Sequence, residues 1–197
     1  MSPCQTEALS NSYDVLRKGK RIGSHTICFK EENDKLYVSA ETKMKVKFLF
    51  FTAYRYQYVS REVWSNGSLN SVSTRVNDNG DKIATTAVRS QGSIKAKLED
   101  TSSHIPFDFF TTNHWNSAAI EQPQLFNTIT GKLNDVVTTE NNRNGDYIEY
   151  SVEGELNITT RYDFDGNWLG MDFLHTDGSK IEFRCVQCGN TPKVSQS

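Results

Sequence analysis

A chain of 197 residues with 22 Lys plus Arg against 24 Asp plus Glu can build one sizeable core, is short for two full domains, and has nearly balanced charge. No basic stripe with interleaved aromatics is present to follow a phosphate backbone, which argues against a nucleic-acid partner. The longest apolar run, Phe48 to Phe51, is far below the roughly 20 residues of a membrane-crossing helix, so no transmembrane segment is expected.

The opening Met-Ser-Pro-Cys-Gln-Thr-Glu has neither a cationic nor an apolar leader region. Two locations fit: the cytoplasm, or export with the leader already removed. Abundant Ser, Thr and Asn and four cysteines placed towards the two ends favour the periplasm or secretion, where disulfides persist. Residues 1–197 are read as a single β-rich domain, with 1–11 and 189–197 as flexible tails.

In chain order, short β-type segments alternate with turn signals. Tyr13 to Leu16 stops at Arg17-Lys18-Gly19-Lys20, Ile22 to Lys30 at Glu32-Asn33-Asp34, and Leu36 to Phe51 leads into an aromatic strand that Asn66-Gly67 closes. Asp78-Asn79-Gly80 and Gln91-Gly92 punctuate the next segments, Ile83 to Val88 and Ile94 to Leu98. Such dipeptides fit the positive φ angles of tight hairpins and predict an antiparallel meander. Between Asp100 and Gln124 the pattern breaks: Trp115, Ala118, Ala119 and Gln122 fall at helical spacing, with Thr112 or Asn113 as N-cap, predicting one short helix. Strands then resume as Leu133 to Thr139, Tyr147 to Val152, Leu156 to Phe164, Trp168 to Phe173 and Ile181 to Val186. The prediction is an all-β fold with one helical insertion, a curved meander forming an open or closed barrel, with a β-sandwich as the alternative.

The densest aromatic stretch is Val46 to Gly67. From Tyr54 the even positions are Tyr54, Tyr56, Tyr58, Glu62 and Trp64, a period of two that places them on one strand face. A two-residue turn at Asn66-Gly67 would pair Trp64 with Leu69, Glu62 with Ser71, Ser60 with Ser73, Tyr58 with Arg75 and Tyr56 with Asn77. That mixture suits a ligand cavity better than a sealed core. A slip of one residue would exchange the faces, and the other reading is a Glu62 to Arg75 ion pair across a solvated sheet.

The order Tyr13-Asp-Val, Gly19 with Ile22-Gly23, Glu62-Val-Trp64 then Asn66-Gly67-Ser-Leu69, His114-Trp115-Asn116, Thr130-Gly131, Tyr162-Asp with Gly166-Asn-Trp168, and Asp177-Gly178-Ser resembles exported bacterial proteins of domain-of-unknown-function family 6134. The resemblance spans nearly the whole chain. It implies export and a β-rich fold comparable with lipoprotein-carrier-like half-barrels or lipocalin-like barrels, and it brings no catalytic residues.

His114 and Trp115 in the insertion can serve as a polar group and an apolar lid over the tyrosine face, or as a helix cap and a core plug. His104 reads as a surface loop residue, and His25 and His175 as strand residues without evident partners. Cys4, Cys28, Cys185 and Cys188 are disulfide candidates with three possible full pairings, able to close a loop over most of the chain. Cys185-Val-Gln-Cys188 does not open a helix, which weighs against redox catalysis. No metal site and no cofactor motif is recognised.

Three functions follow as expectations. The first is a binder or carrier of an amphipathic small molecule or lipid, using Tyr54, Tyr56, Tyr58, Glu62, Trp64, Arg75, His114 and Trp115. The second is a cofactor-free isomerase, cyclase or hydrolase with Glu62 and His114 as acid and base. The third is an accessory that meets a protein partner through an apolar patch at Phe107, Phe109 and Phe110.

Overall fold

The computed structural model describes residues 4, 9–48, 51–90, 93–98, 101–105, 109–155 and 157–192, without the side chains of 47, 48, 51, 52 and 101–105. The chain opens as a continuous meander: β1 (Leu9–Arg17), β2 (Lys20–Glu32), β3 (Lys35–Phe48), β4 (Phe51–Ser65), β5 (Ser68–Asp78), β6 (Asp81–Ser90), β7 (Ser93–Leu98) and β8 (Thr101–Ile105). An insertion follows, made of β9 (Phe110–Thr111), a 3-10 helix over Ser117–Glu121, β10 (Gln124–Asn127) and β11 (Lys132–Asp135). A second meander comprises β12 (Val137–Arg143), β13 (Ile148–Glu153), β14 (Ile158–Tyr162), β15 (Trp168–Leu174) and β16 (Lys180–Gln187).

Antiparallel pairing of β16 with β1 fuses the two meanders into a 13-stranded sheet that runs from β12 to β8. Among the described residues the sheet is not closed, because β12 and β8 do not pair. The all-β, barrel-like expectation is met by this open form.

The turns carry the predicted chemistry. Lys18-Gly19, Asn33-Asp34, Asn66-Gly67 and Asn79-Gly80 all have positive φ at both central positions, the backbone that matches a two-residue hairpin to the strand twist. Register shifts interrupt the ladders of β1 with β2, β3 with β4, β4 with β5 and β14 with β15, and such bulges bend strands and increase twist. At Gly170 (φ 135°) an added Cβ would lie 2.0 Å from the carbonyl oxygen of Phe183, so only glycine lets β15 approach β16 this closely.

One face of the sheet is apolar and turned inward. It carries Tyr13 and Val15 of β1, Ile27 and Phe29 of β2, Val38 and Ala40 of β3, Val72 and Val76 of β5, Tyr162 of β14, Trp168 of β15, and Phe183 of β16. The three-stranded sheet β11-β10-β9 packs into that face as a plug through Phe109, Phe110, Leu125 and Phe126. Phe109 and Phe110 are therefore buried, so they cannot form the expected exposed patch; Phe107 lies outside the described residues.

Several local expectations are corrected. Asn116, not Thr112 or Asn113, caps the insertion's helix: its side chain accepts from the Ala118 N–H at 3.1 Å, and the helix is a single 3-10 segment. The predicted strand Leu133 to Thr139 is split by Val136 between two sheets. His104 lies in β8 rather than a loop, and His175 lies in a turn after β15. Strand β14 starts at Ile158; Leu156 is outside the described residues.

Asn11, assigned to a flexible tail, is 0 % exposed in β1. Its carboxamide accepts from Asn190 N at 3.1 Å and donates to Thr191 Oγ1 at 3.0 Å, so Asn190 and Thr191 are anchored too. The disulfides are Cys4–Cys28 and Cys185–Cys188, with sequence separations of 24 and 3, so neither closes a loop over most of the chain.

Candidate functional site: a cavity on the inner face

Strand β4 runs from the open end of the inner face to the plugged end. Its even side chains change from half-buried at Tyr54 and Tyr56 to 7 % exposed at Tyr58, 1 % at Ser60, and 2 % at both Glu62 and Trp64. The tyrosines and the glutamate share a face, as their spacing requires, but they belong to two different environments.

At the plugged end Glu62 accepts four hydrogen bonds. Thr111 Oγ1 and Asn113 Nδ2 donate to Oε1, both at 2.6 Å, while the indoles of Trp64 and Trp115 donate to Oε2 at 2.8 and 2.9 Å. Each oxygen thereby uses both of its lone-pair positions. Trp115 is 1 % exposed and packs edge-on against Trp64 and Phe29, with ring centroids 5.7 and 5.6 Å apart. Glu62, Trp64 and Trp115 thus fasten the insertion to the sheet and do not line the cavity.

Arg75 is exposed and opposes Val59 on the outer face. The pairing expected from the Asn66-Gly67 turn holds for Trp64 with Leu69, after which Asn70 is bulged out and Glu62 pairs with Val72, Ser60 with Thr74, and Tyr58 with Val76. One extra residue on β5 exchanges its faces, so Val72, Thr74 and Val76 point inward while Ser71, Ser73 and Arg75 face away.

Above this junction lies a cavity of about 390 Å³. Its apolar lining includes Ile27, Ala40, Met44, Ile129, Val152, Ile158, Trp168, Met171, Phe173 and Phe183. Tyr54, Tyr56, Tyr58, His25, Thr42 and His114 add polar groups, and Asp78 and Glu155 also line it. Tyr58 is held by hydroxyl bonds to Asn113 Oδ1 (2.6 Å) and Thr128 Oγ1 (2.8 Å), which tie it to the plug.

The half-buried His114 ring stacks on Trp168 at 6.0 Å, and its carbonyl accepts from the Tyr162 hydroxyl at 2.9 Å. Across Trp168, the buried His25 ring bonds Thr42 Oγ1 through Nδ1 at 2.8 Å and meets the same indole edge-on at 5.7 Å. Burial, with a smaller contribution from neighbouring His114, lowers the His25 pKa to about 3, and burial lowers that of His114 to about 4. Both rings are neutral near pH 7. Burial also raises Tyr58 to about 12, and it raises Tyr54 and Tyr56, both with help from the nearby Asp78 carboxylate.

His25, Thr42 and Trp168 were not among the predicted site residues, although all three line the cavity. The available signal was alternation: odd positions of β2 carry His25, Ile27 and Phe29, while even positions of β3 carry Val38, Ala40 and Thr42. Only the pairing of distant strands brings these rows to one wall.

No curated protein matches the sequence. Among solved structures, a beta-barrel-like protein of domain of unknown function DUF1849 from Brucella abortus is similar in fold, with a TM-score of 0.65 at 9 % identity over 93 % of this chain and 97 % of that one. A family model matches residues 13–186, and on that match the chain belongs to the family described as domain of unknown function DUF6134.

Proposed function

We propose that this protein is a binding or carrier protein whose inner cavity holds an amphipathic small molecule or lipid. The observation that carries the reading is the composition of the cavity: about 390 Å³ enclosed by a mostly apolar surface into which polar side chains of tyrosine, histidine, threonine and asparagine are set, a make-up suited to an amphipathic small molecule. The tyrosine row of β4 supplies flat contact area at low entropy cost, and the neutral His25 and His114 rings offer hydrogen bonds without charge. The barrel-like fold of the DUF1849 protein agrees with such a role at the level of architecture.

Acid–base catalysis by Glu62 and His114 has weaker support, because the Glu62 carboxylate is occupied by four donors and lies outside the cavity wall. The two disulfides favour an oxidising compartment, hence the periplasm or secretion. No helix among the described residues is long and apolar enough to cross a membrane.

Native mass spectrometry of detergent-free protein tests the proposal. A retained amphiphile, or uptake of one by ligand-free protein, is the expected result. Protein that is empty and takes up no amphiphile in calorimetry overturns it.

A further inference from the structure

The charge of the cavity is one-sided. Its described lining residues include the carboxylates Asp78 and Glu155 but no lysine or arginine. Of its three histidines, the buried His25 and the half-buried His114 add no positive charge near pH 7, and the exposed His175 is turned to Asp177, with Nδ1 3.2 Å from Oδ1. Among the described residues neither carboxylate belongs to an ion pair. Asp78 sits directly across the ladder from Tyr56 and lines the cavity with Tyr54, so a carboxylate and two aromatic rings meet where the cavity opens. Glu155 is exposed and accepts from Asn127 Nδ2 at 2.8 Å.

An anionic headgroup entering here would lose water, meet charge of its own sign and find no cationic partner among the described residues. An ammonium group would meet the opposite arrangement: a carboxylate for its charge and tyrosine faces for its C–H or N–H surface. Trp168 and Phe183 are buried below, so the apolar part of the same molecule can extend inward.

We propose that the cavity selects amphiphiles with a cationic head, an alkylamine or quaternary ammonium, over carboxylate amphiphiles, with the head at Tyr54, Tyr56 and Asp78 and the chain directed towards Trp168 and Phe183. This inference rests on the binding role proposed above and specifies the ligand class.

Calorimetry at low ionic strength with decyltrimethylammonium, decylamine, decanol and decanoate, each below its micelle concentration, tests it. The cations bind roughly tenfold or more tighter than decanoate, and the preference shrinks with added salt. In D78N/E155Q the gap between cation and decanoate closes to about threefold or less, and a circular dichroism spectrum and cooperative melt like those of the native protein show that the variant is folded. Decanoate or decanol binding as tightly as the cations, or a charge preference unchanged in D78N/E155Q, overturns this inference and leaves the binding role standing. If none of the probes binds, the binding role falls and the inference falls with it.

Discussion

The indole nitrogen of Trp115 lies 2.9 Å from Oε2 of Glu62, a contact that joins the insertion to β4 across 53 residues of chain. Trp64 donates to the same oxygen at 2.8 Å, so a single buried atom accepts from two tryptophans. In E62Q the amide NH₂ must face either the two indole N–H groups or the Asn113 NH₂, whichever way the side chain is turned. The variant loses roughly 3 kcal/mol, read as an earlier urea midpoint with altered tryptophan fluorescence. A midpoint equal to that of the native protein would show that the junction does not hold the insertion.

The bulge at Asn70 decides which face of β5 reaches the core. Deleting Asn70 would turn Val72, Thr74 and Val76 outward, and we expect insoluble or unfolded protein. N70A keeps the backbone count and loses only the 2.7 Å bond to Ser65 Oγ, a cost of about 1 kcal/mol. Circular dichroism melts of the two variants separate backbone register from side-chain bonding.

Acid acts through the neutral rings. Both His25 and His114 have folded pKa values below their ordinary 6.5, so between about pH 6.5 and 4 the unfolded chain binds protons that the folded chain does not. Their contribution to stability is complete above pH 6.5 and is lost as pH falls towards 4 for His114 and 3 for His25. Each ring steepens the loss by about 1.4 kcal/mol per pH unit. Denaturant titrations from pH 7 to about 4 should show a shallower slope in H25Q/H114F than in the native protein. Equal slopes would mean that both rings protonate freely in the fold.

Removal of the two disulfides has unequal effects. On loop length alone, Cys4–Cys28, with a separation of 24, contributes roughly 3 kcal/mol, and Cys185–Cys188, with a separation of 3, roughly 2 kcal/mol. C4S/C28S should therefore melt below C185S/C188S in calorimetric scans. The reverse order would place the main effect of the C-terminal bridge in the folded state.

Met171 is partly buried in the cavity wall, where a larger side chain has space to occupy. M171W is expected to lower amphiphile uptake at least tenfold while shifting the melting temperature by only a few degrees, as tolerated volume changes do. Undiminished uptake would place the ligand elsewhere on the protein.

Much of this architecture was readable from local signals. Asn66-Gly67 and Asn79-Gly80 announce their hairpins because positive φ is a property of those residues, and the even-numbered aromatics of β4 announce one inner face. The site was only partly readable. An unpaired Asn70 has no sequence signature strong enough to outweigh simple counting from the turn, and that count assigned Arg75 to the tyrosine face. The donors to Glu62 come from residues 64, 111, 113 and 115, so its role as an anchor depends on where the insertion folds back. His25 gained meaning only when β2, β15 and the insertion converged on Trp168.

The pairing of β1 with β16, which sets Tyr13 opposite Cys185, governs how the chain can assemble. During synthesis the first strand waits for its outer neighbour until the last strand has emerged, and a hydrophobic edge stays open meanwhile. Long-range closure of this kind makes folding slow and exposes intermediates to aggregation. A chain shortened before β16 would leave Tyr13 and Val15 on a bare edge, so loss of the final strand should be read first in solubility and only afterwards in ligand uptake.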